Sequence, residues 1–288
     1  MTQTIGIAGT GRMGTAFARR MIETGNSVKV WNRSPERMSP AVEAGAEAVD
    51  IAGLSGCDTI LLSLTDAEAS SAVLESLAAA GIAGRLVIDL STLLPADADR
   101  LAARAADAGA DFVHCPVGGT VAPALKGQLL GMTGGTPAAF ERAKPVLGQL
   151  CRRVEHLGTA GSAARMKLAV NLPLALYWQT LGESLSLLRG AGVSNDLAIS
   201  LIADSSAGPT VLKNRAQVVV DTLGGADQPG TFDIAGLNKD LRLALQLAAT
   251  EGAVLSLAAA AEPHYAQALK AGLGGFDGAS LTRLTVQG

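Results

Sequence analysis

The stretch TIGIAGTGRMGTAFARRMIE, residues 4–23, decides the first half of the fold. Its opening residues are small or β-branched and apolar, as a buried strand requires. They run into Gly9, Gly11 and Gly14, and a helical pattern begins at Arg12. In a turn of this spacing the glycines have separate jobs. One makes the tight turn, one lets a pyrophosphate approach the backbone, and one lets helix and strand pack closely. The helix N-terminus beyond them offers free N–H groups and a positive dipole end. Gly9, Gly11, Arg12, Met13 and Gly14 therefore read as a dinucleotide cradle.

The pattern continues outward from that turn. SVKVW, TILLSL, RLVIDL, DFVHC and LLGMTG read as further strands. RMGTAFARRMIE, DAEASSAVLESLAAA, PADADRLAARAADAG and PAAFERAKPVLGQL read as the helices between them. Strand–helix alternation of this kind predicts a parallel, doubly wound α/β sheet, the Rossmann arrangement. Near Gly158 the alternation stops. Helical segments follow at 162–190, 195–204, 209–222, 233–251 and 253–270. The expected organisation is a Rossmann domain over 1–160 and an all-helical domain over 161–288.

Composition excludes several classes. With 288 residues, 48% of them hydrophobic, the chain can build a sizeable core. A net charge of -3 without a Lys/Arg run argues against nucleic-acid binding. No apolar run reaches the roughly 18–20 residues that span a bilayer, and no leader pattern precedes the first strand. The expectation is a cytoplasmic protein that touches no membrane. Cys57, Cys115 and Cys151 are far apart, and with three histidines in all they make no metal-ligand pattern. No metal is expected, and Cys57 and Cys151 read as buried thiols.

The end of the second strand discriminates between cofactors. NAD sites usually place Asp or Glu there, on the ribose 2′-OH. This chain has Asn32, Arg33 and Ser34. No carboxylate is present to repel a 2′-phosphate, and a guanidinium can pair with one. NADP(H) is expected in preference to NAD(H); the alternative is a solvated arginine ending a strand.

SAARMKLAVNLPLAL, residues 162–176, is almost wholly apolar, yet it carries Lys167 and Asn171 four positions apart. That spacing puts them on one helix face, in a stripe continuing through Leu174 to Trp178. Burying an ammonium without a partner costs several kcal/mol. Either the lysine reaches water along its stem, or it faces a cleft and handles a proton there. Pro173 removes one hydrogen bond from this helix and is expected to bend it.

These motifs together resemble a known family. GTGRMG with NRSPE, IDLSTLLP, PVGGTVAPALKG with GMTGG, GTAGSAARMKLAVN, and FDIAGLNKDLRLAL occur in that order over nearly the whole chain. They resemble the β-hydroxyacid dehydrogenases, which include 3-hydroxyisobutyrate dehydrogenase and the glyoxylate/succinic semialdehyde reductases. The resemblance implies a dehydrogenase that moves a hydride between NADP(H) and a small 3-hydroxy acid or its aldehyde acid. Lys167 would be its general acid/base, with Asn171 beside it. It implies a substrate loop at Gly118, Gly119 and Thr120, where Gly118 replaces the usual serine. Leu172 stands where a second asparagine is common. Lys239 would lie near nicotinamide and substrate, with Asp240 orienting it; Trp178, on the helical stripe of Lys167 and Asn171, reads as lining the substrate side. Thr92, after Ser91, would meet the nicotinamide ribose, and Leu64 and Thr65 the adenosine side. His114, beside the loop, reads as a second acid or as a satisfied histidine ending a strand. Partners implied are a small-molecule substrate and a second copy, as a homodimer or a tetramer. The rival readings are an imine reductase and an NADPH-binding protein without turnover.

Overall fold

The computed structural model of the chain describes residues 3–288. The chain divides into two compact units after Lys167.

The first unit is built on a nine-stranded sheet. Its elements are β1 (Thr4–Ala8), α1 (Arg12–Glu23), β2 (Ser27–Trp31), α2 (Ser39–Val42), β3 (Glu47–Ala48), β4 (Thr59–Leu62), α3 (Ala67–Ala80), β5 (Leu86–Asp89), α4 (Pro95–Asp107), β6 (Asp111–His114), β7 (Val117–Gly118), α5 (Val121–Leu125), β8 (Leu129–Gly135), α6 (Pro137–Leu150) and β9 (Cys151–His156). The strand order is β3-β2-β1-β4-β5-β6-β8-β7, with β9 paired to β8. β1 and β4 to β6 are buried along almost their whole length, because helices cover both faces. One core contains Ile5, Ile7, Phe17, Leu61, Ile88 and Val146. The other contains Ile60, Leu62, Val87, Leu101 and Phe112, and reaches Ala160 and Ala164.

Two features differ from the expectation of a parallel sheet. β8 runs antiparallel to both β6 and β7. The segment 119–128 between β7 and β8 is shorter than the dozen or more residues a parallel crossover needs, so the chain must turn back. β9 is a further strand, parallel to β8 and reached through α6.

From Lys167 the chain continues along α7 (Ala160–Ser186) into the second unit. That unit adds α8 (Asn195–Asp204), α9 (Thr210–Leu223), α10 (Ile234–Glu251), α11 (Ser256–Lys270) and α12 (Gly278–Gln287). Its core packs Trp178, Leu181, Leu212, Leu241, Tyr265 and Leu281. The Tyr265 hydroxyl donates to the Ala175 carbonyl at 2.7 Å, so the buried phenol is satisfied. α7 passes through Pro173 without ending. No helix among the described residues is long and apolar enough to cross a membrane.

Candidate active site

The glycine turn is held by contacts that only glycine permits. Gly9 has φ +96°, and a Cβ there would fall 2.3 Å from the Ser63 carbonyl oxygen. At Gly14 a Cβ would fall 1.9 Å from the Gly9 oxygen, so α1 seats directly on the turn. Gly11, the N-cap of α1, is different: nothing lies within 4 Å of where its Cβ would stand. The protein has no packing need for glycine at this position. The open space fits the close approach of a pyrophosphate, and the exposed Arg12 begins the helix beside it. Met13 is half-buried against the core below.

Asn32 has a structural task at the site expected for a cofactor contact. Its Oδ1 accepts the Thr10 N–H at 3.1 Å, and its Nδ2 donates to the Ser34 carbonyl at 3.0 Å. Both ends of the amide brace the glycine turn against the end of β2. Arg33 is exposed, and Ser34 caps the turn Pro35–Met38 without a side-chain hydrogen bond, so its hydroxyl is not spent on the cap. The Thr10 hydroxyl donates to the Arg37 carbonyl at 2.9 Å. This contact draws a second exposed arginine, Arg37, to the same loop. Sequence reading did not single it out, although it lies four residues after Arg33 across a proline-started turn.

The ends of β4, β5 and β6 are tied together. Leu64 N–H donates to Ser91 Oγ at 3.1 Å, Ser91 N–H to Asp89 Oδ1 at 2.7 Å, and Cys115 N–H to the Asp89 carbonyl at 2.7 Å. Asp89 is therefore a node that sequence reading missed; as a strand-ending acid it carried no signal of its own. Thr65 is exposed and donates to Asp66, and Thr92 is half-buried beyond Ser91.

Lys167 is 9% exposed, and its Nζ donates to the Val117 carbonyl at 2.9 Å. The ammonium is held inside, on the strand that opens the loop, and does not reach water along its stem. Gly118 belongs to β7, paired opposite Leu130. Gly119 has φ +119°, and a Cβ there would lie 2.7 Å from Leu129 Cδ2. Thr120 caps α5 with no side-chain capping bond.

In the helical unit Asn171 is 6% exposed and its Nδ2 donates to Asp240 Oδ2 at 2.6 Å. Lys239 Nζ lies 3.4 Å from the other Asp240 oxygen. One buried carboxylate thus orients both the amide and the ammonium. Trp178 is 3% exposed, with its indole against the backbone of Gly278, where any Cβ would clash. The structure gives Trp178 to the helical core.

His114 is fully buried; no side chain bonds either ring nitrogen, although the ring meets the Asp89 backbone. Burial pushes its pKa down from 6.5, against the pull of the Asp89 carboxylate, a hydrogen bond to the Asp89 backbone and the Asp99 carboxylate. Burial also raises the Cys115 thiol, and Cys151 is pushed up to about 12. No group of metal-ligating side chains occurs among the described residues.

Comparison with known proteins follows the same order along the chain. Residues 4–158 match the NAD-binding domain of 6-phosphogluconate dehydrogenase, and residues 161–285 match the NAD-binding domain of NADP-dependent 3-hydroxyisobutyrate dehydrogenase. The chain belongs to the β-hydroxyacid dehydrogenase family. This is a family of dehydrogenases and reductases with a nicotinamide-dinucleotide fold. Among its relatives, 3-hydroxyisobutyrate dehydrogenase of Pseudomonas aeruginosa is 31% identical, covering 84% of each chain. Glyoxylate/succinic semialdehyde reductase 2 of Arabidopsis thaliana, a chloroplastic protein, is 29% identical over 94% of this chain and 76% of its own. The Mycobacterium tuberculosis 3-hydroxyisobutyrate dehydrogenase structure with L-serine superposes with a TM-score of 0.88 at 26% identity, covering 99% of both chains.

Proposed function

We propose that this family member interconverts a small 3-hydroxy acid and the matching aldehyde acid, using NADP(H) in preference to NAD(H). The observation that carries the reading is the buried Lys167 ammonium, seated on the Val117 carbonyl at the mouth of the loop Gly118–Thr120. The open space at Gly11 fits a bound dinucleotide, and that cofactor would supply the hydride. Arg33, Ser34 and Arg37 would hold its 2′-phosphate through charge-assisted hydrogen bonds. Leu64, Thr65 and Thr92 would line the rest of its path.

The chain's own residues then manage binding and the proton. Gly119 and Thr120 anchor the substrate carboxylate through backbone N–H groups and a hydroxyl. In the reducing direction Lys167 Nζ hydrogen-bonds the carbonyl oxygen and donates a proton as the alkoxide forms. In the oxidising direction the neutral amine takes the hydroxyl proton. Asn171, oriented by Asp240, fixes the substrate's pose, and Lys239 adds positive potential. The helical unit exposes Leu187, Leu201, Val254 and Leu257, which supports a homodimer, to be read by light scattering.

The test follows NADPH and NADH absorbance against succinic semialdehyde, glyoxylate, tartronate semialdehyde, methylmalonate semialdehyde and one cyclic imine. The Lys167→Ala and Arg33→Ala variants run alongside. An aldehyde acid is expected to turn over with NADPH, and Lys167→Ala to lose about 10²–10⁴ in kcat. A Lys167→Ala variant keeping more than half of wild-type kcat would refute the acid/base role. Turnover of the imine alone would overturn the substrate class.

A further inference from the structure

β5 and β6 pair in register at Asp89 and His114, so both side chains leave the sheet on the same face. Both residues are fully buried. That face is covered by α4 and the first turns of α7, through Leu93, Ala98, Leu101, Ala160 and Ala164. Asp89 spends Oδ1 on Ser91, but its Oδ2 has no partner among the described residues. An open carboxylate oxygen and an imidazole without a side-chain partner thus stand buried on adjacent strands, the ring already beside the Asp89 backbone, which is a costly arrangement unless the two side chains meet.

Three segments converge on this pair. The Ser91–Thr92 turn hangs from the Asp89 carboxylate, and the Cys115–Val117 link leaves the strand at His114, where Cys115 N–H bonds the Asp89 carbonyl. The third is the start of α7. Asp99 of α4 accepts the Gly161 N–H at 2.7 Å and also acts on the imidazole. Across β8, His114 pairs with Gly134, whose Cα lies so near the Thr159 carbonyl and Ala160 that no side chain fits. The charged groups that face His114 are thus Asp89 from β5 and Asp99 from α4; β8 and the start of α7 present Gly134, Thr159 and Ala160.

We propose that His114 is a positioning residue for the reaction: in the working enzyme a ring N–H of its neutral imidazole bonds the open Asp89 oxygen. The carboxylate so fixed sets the Ser91–Thr92 turn and the link whose Val117 carbonyl holds Lys167. Protonation gives the ring a second donor and a charge, which draws on Asp99 and loosens the cap of α7. Activity therefore falls at acid pH through kcat. This inference rests on the reading of Lys167 as acid/base.

The test compares wild type with His114→Asn, which keeps a donor but cannot titrate, and with His114→Phe, which keeps bulk alone. kcat, KM and melting temperature are measured from roughly pH 4 to 8, through the ordinary histidine range and below it, because burial moves this titration downward. His114→Phe should lose at least about tenfold in kcat with little change in KM. His114→Asn should recover to within about threefold of wild type and lack the acid limb assigned to the histidine. Equal kcat loss in both variants, or a wild-type pH profile in His114→Asn, would overturn the proposal. A second readout needs no turnover: the ring resonances of labelled histidine, with only three in the chain. A single protected N–H at neutral pH that is lost in Asp89→Asn is expected. A charged ring there, or an N–H indifferent to Asp89→Asn, would overturn the proposal. If wild type reduced no aldehyde acid while this resonance behaved as expected, the function reading would fail and the His114–Asp89 bond would stand.

Discussion

Gly9 and Gly14 of the cradle are required by the fold, whereas on the proposed function Gly11 serves the ligand, and alanine substitutions at Gly14 and Gly11 should pull these roles apart. At Gly14 a methyl group would meet the backbone oxygen of Gly9 at 1.9 Å, whereas such contacts are essentially never closer than 3.0 Å. α1 would have to recede by more than 1 Å, because neither partner is a side chain that can rotate away. Alanine inside a helix normally gains about 0.5–1 kcal/mol over glycine. Overpacking of this kind costs about 1–3 kcal/mol and more where backbone meets backbone, so the net sign is destabilising. For a unit of this size each kcal/mol is worth roughly 2–4 °C, so the melting temperature should fall by roughly 3–10 °C. At Gly11 the methyl would meet nothing, and φ is −67°, which alanine adopts freely. Its stability should change by no more than about 1 kcal/mol, the usual scale of an N-cap change. The same methyl would occupy the space for the pyrophosphate. The same cost of about 1–3 kcal/mol paid in binding raises the NADPH Kd by roughly 5- to 150-fold. Calorimetric titration with NADPH and unfolding of the cofactor-free protein measure both quantities. Gly11→Ala binding NADPH within twofold of wild type would refute the cradle, and Gly14→Ala melting higher than wild type would refute the packing argument.

The loop admits a similar contrast. A Cβ on Gly118 would make ordinary contacts of 3.5–3.9 Å with Leu130, so Gly118→Ser should fold normally and lower KM for the smallest hydroxy acids, as steady-state kinetics would show. Gly119→Ala, forced into a left-handed conformation against Leu129, should instead raise that KM at least about tenfold. Asp240→Ala removes the acceptor of a buried amide and should destabilise the helical unit by about 1.5–3 kcal/mol in urea unfolding; a change under about 0.5 would argue against that bond. At alkaline pH the folded chain keeps the proton of Cys151 up to about 12, while the unfolded chain releases it near the ordinary 9.0. The native state binds more protons there, so stability falls as pH rises through 9, by about 1.4 kcal/mol at about pH 10 from this thiol. Cys151→Ala should flatten that part of the slope. At the acid end the sign is reversed for His114: the unfolded ring takes a proton that the buried one refuses, so stability falls as pH drops below 6.5.

Some of this was legible in the residues alone. The strands around β1 are read from continuous apolar runs, because helices bury both their faces. The cradle follows from glycine spacing; the apolar surroundings of Lys167 left two readings open, and the family resemblance chose between them. β9 escaped because CRRVEH is an edge strand whose arginines and glutamate face solvent, so it lacks the apolar signature of a central strand. The reversal of β8 depends on which strands meet, which local patterning does not encode. α12 begins GAS, and its first three residues are buried by close packing that small side chains permit, as where Gly278 meets Trp178. Asn32 illustrates the same limit at the site. Its residue type suggested a ligand contact, and its bracing of the turn shows only in the fold, because one amide partner, Thr10, is distant in sequence. His114 and Asp89 are readable only once the register of two strands is known.

The division of the chain falls inside α7, between Lys167 and Leu168. A recombination joint placed there would keep Lys167 with the glycine cradle and its Val117 seat. The incoming half would bring Asn171, Lys239 and Asp240 as one cassette, with the Asn171–Asp240 bond already made. A lineage could thus exchange the Asn171–Asp240 pair without disturbing the seat of Lys167.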